Sequence, residues 1–478
     1  MVWAVVGVQP TSFAHCCLPK AHKQLTSTMP WQMRTTMIMI KFDSKEERKL
    51  LQSVAEIGAR ICAEVVDWTF HDLRLTSVLR AKERCMNSRL FRHALAAAAS
   101  GLLLSAFAPV ARAEIPINLP EQVTMAKLPA IDGQRVYVSD PTMNHIVDGR
   151  MHVLDGGKMR YLGLIGSGFA GLITLSHDKR FIYVATAYHS RLQRGTRTDV
   201  VEVYRTEDLG FDHEIVIPPK RVQGLQIKAL TTMSPDDRYL FIQNATPATS
   251  ITVVDLKERR VTAEFANPGC WGVLPWPNKP RRVTSICGDG TTTNFDINDK
   301  GELAATTAGP AFFKPDVDPV FMHYEAIDDR LIFVSYNGMV YTVRMTDNGL
   351  QADGEPWALV DSAAAKKGWR PGGFQLFAVD PAGKRLVVGM HEAGAEGSHK
   401  NPASELWVFD LATHKRIGKL PGEVALSMTF APKLPKLFVL SAADNRIVSF
   451  DLSGPRLPKR PMASSLPVGE TPVYLVLQ

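Results

Sequence analysis

The sequence predicts an all-β fold, a seven-bladed β-propeller, and three observations carry that prediction. The first is one complete unit, residues 174–209 (TLSHDKRFIYVATAYHSRLQRGTRTDVVEVYRTEDL). In it Ile173 and Leu175 run into a turn at His177-Asp178-Lys179-Arg180. A second strand follows over 181–185, then a long polar loop, then a third strand over 199–204 with Val201 and Val203 on one face and Glu202 on the other. That is a β-meander. The second observation is that the turn recurs at 132–135, 235–238, 280–282, 328–330, 381–385 and 432–436, seven in all. Its Asp suits a tight connection because the side chain bonds to the backbone two residues on. The third is the spacing, which centres on the roughly 50 residues expected of a four-stranded blade. A blade cannot bury both faces alone, and packing seven around an axis buries them against neighbours.

In chain order, residues 114–129 show no clear period and are expected on the outside of the ring. Residues 135–140 and 152–155 open the first blade. Next comes YLGLIGSGFAG (161–171), where glycines bracket Phe169. Glycine lets the backbone turn where other residues cannot. A connection from the outer strand of one blade to the inner strand of the next lies on the face where propellers form binding sites, which makes Phe169 a candidate for exposure there. An ordinary packed aromatic is the alternative. Strands are expected at 215–217, 239–243 and 251–255, with Pro218-Pro219 marking an edge or loop. Others follow at 284–287, 293–297, 331–336 and 340–344. Residues 363–369 read as a short helix ended by Pro371-Gly372-Gly373. The stretches 374–379, 385–390, 405–410, 428–430, 437–440 and 447–451 complete the last two blades. A closed ring needs a clasp, and residues 471–478 are expected to supply it beside 135–139.

The 478 residues carry 55 Lys+Arg against 48 Asp+Glu, a formal net charge of +7. The excess is confined to one end. Residues 1–113 hold 15 basic and 8 acidic side chains, so residues 114–478 hold 40 of each. A neutral surface without a basic run has no electrostatic attraction for phosphate, which excludes a nucleic-acid function. Residues 86–113 (MNSRLFRHALAAAASGLLLSAFAPVARA) have the parts of a secretory signal: Arg89 and Arg92, an apolar core over 94–108, and Ala111-Arg112-Ala113 before Glu114. The core is too short for a membrane span. The expectation is export to the periplasm, with 1–85 a leader or mis-assigned start, 86–113 the signal peptide and 114–478 the propeller. Four cysteines, Cys16, Cys17, Cys62 and Cys85, precede the mature part, leaving Cys270 and Cys287. An even pair in an exported domain has the composition of one disulfide, and two buried free thiols are the alternative.

Catalytic motifs are missing. There is no Gly-x-Ser-x-Gly, no His-Glu-x-x-His and no Cys-x-x-Cys-His. His391, Glu392, Glu396 and His399 form the densest group of metal-ligand types, but their spacing matches no common site and a solvated loop is the better reading. The loop bearing Arg191, Arg194 and Arg197 faces either an acidic partner or water.

Longer stretches are more specific. TAYHSRLQRGTRTDVVEVY (186–204), PPKRVQGL (218–225), QNATPATSITVVD (243–255), GCW with CGDG (269–271, 287–290), WRPGGFQL (369–376) and the segment from SHK to ELWVFD (398–410) resemble the heavy subunit of quinoprotein amine dehydrogenases. The wording is closer to the aromatic amine dehydrogenase heavy subunit than to the methylamine one. The resemblance covers about residues 120–478. It implies a periplasmic seven-bladed propeller in an α2β2 complex, with no cofactor and no catalytic residue in this chain. The light subunit carries tryptophan tryptophylquinone and the catalytic base. Amine is oxidised to aldehyde and ammonia, and electrons pass to an azurin- or amicyanin-like blue copper protein. The resemblance also places Phe169 at the mouth of the substrate channel, although its neighbours Ser167-Gly168 and Ala170-Gly171 depart from the family wording, and it pairs Cys270 with Cys287. Two readings of other classes stay open: a propeller enzyme with its own bound cofactor, and a binding scaffold without redox activity.

Overall fold

The computed structural model describes residues 126–478, together with the two-residue strands Ala4–Val5 and Met39–Ile40, which pair with each other. Apart from those two strands, the leader expected over 1–85 and the secretory segment expected over 86–113 lie outside the described residues. The fold is an all-β propeller. Its first sheet combines Tyr474–Leu477 with Arg135–Asp140, Gly149–Asp155 and Arg160–Gly168; the second holds Leu172–Leu175, Phe181–Arg191, Arg194–Arg205 and Phe211–Ile217. The third contains Thr231–Met233, Tyr239–Asn244, Ser250–Asp255 and Arg260–Ala266, and the fourth Cys270–Pro275, Arg282–Cys287, Thr292–Ile297 and Leu303–Gly309. The fifth is built on Glu325–Ile327, Arg330–Val334, Met339–Thr346 and Gly349–Ala352. After it comes one eight-stranded sheet, in which Lys415–Phe430 pairs with Ala403–Asp410 along its first half and with Lys436–Ser441 along its second. Glu423 and Val424 take positive φ where that strand changes partner. The expected helix is a single turn, Ser362–Lys366, capped by the Asp361 carboxylate, which accepts the Ala364 N–H at 2.8 Å.

The alternation read from the sequence packs successive sheets face to face. Tyr137, Met151, Val153 and Ile165 of the first sheet meet Ile173, Ile182 and Val184 of the second in one buried cluster. Val136, Val138 and Leu154 meet Phe438, Leu440 and Ile447 where the last sheet returns to the first. Because consecutive strands reverse, every turn from an inner strand to the next lies on one face of the ring. Every connection from an outer strand to the following inner strand lies on the other, together with the hairpins between second and third strands.

The recurrent Asp-and-basic turns line the first face, and the Asp does what its position predicts. Asp132, Asp178 and Asp236 each accept the N–H two residues on, from Gln134, Arg180 and Arg238, at 2.9, 3.0 and 3.3 Å. The same turns also tie neighbouring sheets together. Asp237 accepts the N–H groups of His177 and Asp178, both at 2.9 Å, Arg281 Nη1 reaches Asp236 at 2.7 Å, and Lys436 Nζ reaches Gln134 Oε1 at 2.9 Å.

The C-terminal strand closes the ring as expected, with Val136, Tyr137, Val138 and Ser139 registered against Leu477, Val476, Leu475 and Tyr474. A single buried carboxylate holds the segment leading into it. Asp140, 1% exposed, accepts the N–H groups of Thr142, Glu470 and Thr471 at 2.8, 2.7 and 3.1 Å and lies 3.4 Å from His152 Nε2. Burial pushes its pKa up, but the His152 contact and the three N–H donors outweigh burial and hold it at about 2, against 3.8 ordinarily.

A depressed carboxylate stabilises the fold fully above its unfolded pKa and ceases to do so as pH falls through its folded one. Asp140→Asn should therefore lower the Tm at pH 7, by an amount corresponding to about 2 kcal/mol, and the gap to the unaltered protein should close between about pH 4 and pH 2. Thermal melts across that range check this; a gap independent of pH would mean that the charge on Asp140 is not what clamps the segment.

Candidate functional site

Phe169 sits on the connection face, between Arg160–Gly168 and Leu172–Leu175, and is partly exposed. The local sequence explains how it gets there. Gly168 has φ +56°, and a Cβ on it would fall 2.5 Å from Thr186 Oγ1 and 3.2 Å from the Tyr188 ring. At Gly171 a Cβ would fall 2.3 Å from the Ser167 carbonyl oxygen. Only glycine at both positions lets the loop lie down against the second sheet. There the Phe169 N–H donates to the Ala187 carbonyl at 3.3 Å and Thr186 Oγ1 donates to the Ser167 carbonyl at 2.7 Å. The Phe169 ring meets the edge of the His189 imidazole, centroids 6.1 Å apart and planes at 72°.

Behind the loop stands Arg221, 1% exposed. Its guanidinium donates to the carbonyls of Phe169, Ala170 (3.0 Å) and Val222 (2.8 Å). Burial pulls its pKa down to about 10, against the favourable field of Asp199, so it remains charged at neutral pH. Asp199 is itself held by both arms of Arg197, Nε at 2.6 Å and Nη2 at 2.5 Å, and Arg197 Nη2 also donates to the Arg221 carbonyl at 3.1 Å. Arg221 lies in the stretch PPKRVQGL (218–225), whose sequence does not mark it for this role. Nothing local in Pro-Pro-Lys-Arg-Val announces a partner some 50 residues earlier.

The second strand of this sheet corrects one expectation. Residues 186–198, expected as a polar loop, continue the ladder as a hairpin with Ala187 opposite Asp199, His189 opposite Arg197 and Arg191 opposite Arg194. Its far end has no neighbouring sheet to pack on, so its polar residues never acquired the alternation that marks a half-buried strand. The basic residues divide accordingly: Arg191 and Arg194 are exposed at the tip beside Leu192, 68% exposed, whereas Arg197 turns inward to Asp199. Deeper in the sheet Glu202 accepts the hydroxyls of Tyr188 at 2.8 Å and Tyr204 at 2.9 Å. Burial pushes the Glu202 carboxyl up, with the two hydroxyls pulling against it, and burial raises both phenols, with the Glu202 charge adding to the effect.

The remaining sequence candidates lie elsewhere. Cys270 and Cys287 are joined, directly opposed on adjacent strands of the fourth sheet. His391 is buried, not solvated, with Nδ1 3.0 Å from the Glu392 carbonyl; His399 stacks on Tyr336 at 4.5 Å. The physical reason is that His391 is the last residue of the core strand Arg385–His391, so the loop begins only after it. Among the described residues no group of three or more His, Cys, Asp or Glu is placed to hold a metal ion. A cavity of about 460 Å³ is lined by the inner-strand residues Thr174 and Tyr474 and by Gln226, Lys228, Tyr324 and Gln375, which precede inner strands. Phe169 does not line it.

A family profile described as methylamine dehydrogenase heavy chain (MADH) matches residues 132–459, well over half of the chain. The chain belongs to the methylamine dehydrogenase heavy chain family. Members similar to it include the methylamine dehydrogenase heavy chain of Methylobacillus flagellatus, 28% identical over 359 residues, covering 73% of this chain and 88% of the relative. That of Methylorubrum extorquens is 26% identical over 352 residues, covering 72% and 84%. The heavy-chain match takes in the Phe169 loop, Arg221 and the disulfide. Among solved structures, putative 6-phosphogluconolactonases of Bacteroides fragilis and Bacteroides uniformis superpose with a TM-score of 0.53 in each case, at 13% and 10% identity. They cover 73% and 72% of this chain and 100% and 99% of their own, and they share the fold alone.

The disulfide closes a loop of sequence separation 17, which on the chain-entropy account stabilises by about 3 kcal/mol. The double variant Cys270→Ser/Cys287→Ser should lose that amount in denaturant unfolding, and thiol labelling of the unaltered protein under denaturing, non-reducing conditions should find neither of these two cysteines free. Labelling of both would overturn the pairing.

Proposed function

We propose that this chain is the heavy subunit of a periplasmic amine dehydrogenase that acts on primary, aromatic amines and passes the electrons to an azurin- or amicyanin-like blue copper protein. The observation that carries the reading is the heavy-chain family match over residues 132–459. In the balanced reaction RCH2NH3+ and water give RCHO, NH4+, two protons and two electrons. Tryptophan tryptophylquinone, when bound in its own subunit, supplies the electron sink. Among the described residues, the neighbouring tryptophan pair Trp369 and Trp407 does not fit that role. Trp369 and Trp407, with centroids 5.1 Å apart, are both buried in the core beneath the Lys419 ammonium. The heavy-chain family match supports placing the quinone and the catalytic base in a light subunit, in an α2β2 complex.

The part left to this chain is to scaffold the light subunit and shape the substrate path. An apolar ring presented on the connection face can exclude or stack on the side group of an amine and keep water from it, but it cannot move a proton. That is the role we assign to Phe169. The secretory character of residues 86–113 and the single disulfide support export. We propose seven blades, taking the eight-stranded sheet as two joined through Lys415–Phe430; seven separate apolar clusters between the strand sets, one of them spanning that strand, support this reading. Among the described residues no helix is long and apolar enough to cross a membrane.

Two measurements test the proposal. The chain purified without a light subunit should not oxidise amines with a dye as acceptor, and turnover by it alone would refute the division of labour. In the assembled enzyme, Phe169→Ala should change the ratio of kcat/KM between 2-phenylethylamine and methylamine by roughly 10- to 200-fold, the range for apolar pocket discrimination. An unchanged ratio would remove Phe169 from the substrate path.

A further inference from the structure

We propose that Arg221 is the positioning residue that sets the place of Phe169, and through it the choice among amines; the inference rests on the reading of Phe169 just given. Arg221 is almost wholly buried and makes no ion pair among the described residues, because the nearby Asp199 carboxylate is occupied by both arms of Arg197. Two of its three acceptors are the consecutive carbonyls of Phe169 and Ala170, 52 and 51 positions away in the chain. A planar guanidinium can hold two adjacent carbonyls at fixed angles; an ammonium on a flexible stem cannot.

The loop needs such a clamp. Gly168 and Ala170, on either side of Phe169, both lie at positive φ, +56° and +45°. For Ala170 that is a conformation which a side-chain-bearing residue avoids unless its surroundings impose it. The clamp is itself anchored. Arg197 holds the Arg221 carbonyl, the Val222 N–H donates to the Gln243 carbonyl at 3.1 Å, and Arg221 bridges to Asn244 of the third sheet. Phe169 is thus fixed from the third sheet although it lies between the first and the second. Burying a charge without a carboxylate is a poor way to gain stability alone, since an apolar residue of similar size avoids the desolvation cost. What the guanidinium adds is a defined position for two carbonyls.

The test uses the assembled heavy–light complex with Phe169→Ala, Arg221→Met, Arg221→Lys and the double variant Phe169→Ala/Arg221→Met. The readout is the kcat/KM ratio for 2-phenylethylamine over methylamine, with hydrogen exchange of residues 165–172 measured in parallel. Arg221→Met should shift the ratio in the same direction as Phe169→Ala, by about 10-fold or more. The double variant should shift it no further than Phe169→Ala alone, because the two changes act through one ring. Arg221→Lys should fall between, with faster exchange of 165–172. If Phe169→Ala shifts the ratio and a folded, assembled Arg221→Met leaves it at the unaltered value, Arg221 only stabilises and this inference falls alone. If Phe169→Ala shifts nothing, the reading of Phe169 falls and takes this one with it. Should Arg221→Met fail to assemble, Arg221→Lys decides: unaltered ratio and exchange overturn the proposal.

Discussion

A small antiparallel sheet with two apolar faces can bury both only between neighbours, and a row of such sheets leaves two end faces open unless the row closes on itself. Ring closure is the constraint on which the rest of this molecule depends. It is met by bringing Tyr474–Leu477 beside Arg135–Asp140, so that the first and last parts of the described chain share one sheet. The interface that results, with Val136 and Val138 against Phe438 and Leu440, is as dry as those between sheets adjacent in sequence. Each such side chain contributes ~1.5–3 kcal/mol by its removal from water. Asp140 adds direction to this non-directional attraction, because its three N–H partners admit only one path for the returning segment.

Closure divides the surface into two faces with different tasks. The face of Asp-and-basic turns is short, self-bonded and cross-linked from sheet to sheet, which leaves it little freedom. The connection face carries the longer excursions: the Phe169 loop, the hairpin tip at Leu192, and the cysteine-linked corner of the fourth sheet. Loops of that kind are where a rigid scaffold presents variable chemistry. There the buried Arg221 guanidinium holds the loop that carries the apolar Phe169 ring.

Most of the polar groups buried near Phe169 are paired, the exceptions being Arg221 Nε and His189 Nδ1. Asp199 neutralises Arg197, Arg197 and Arg221 satisfy carbonyls, and Glu202 is held by two phenols. Leaving any one of these groups unpaired in such surroundings costs about 1–3 kcal/mol, more where it is charged. The network therefore specifies the arrangement of the second sheet beyond what its apolar stripe could, since Val201 and Val203 fix which face is buried but not where the loop beside it lies.

Much was legible in the sequence because it is local. Period-two strands, the Asp that bonds two residues on at Asp132, Asp178 and Asp236, and the cap at Asp361 depend on neighbours a few positions away. Phe169 could be singled out because the glycines around it mark a backbone that must turn tightly. What was not legible depends on surroundings that the local pattern does not record. Residues 190–196 form the exposed end of a hairpin, so no alternation was imprinted on them, and His391 lies at the end of a core strand inside a segment that reads as polar. The clamp of Arg221 on Phe169 and Ala170 spans about 50 residues with no sequence mark at either end. The sequence by itself determined strand type, turn chemistry and family, and singled out the Phe169 loop by its glycines. Only the tertiary structure decided how the ring closes and what holds Phe169 in place, because those contacts join residues whose distance apart is set by the packing of whole sheets.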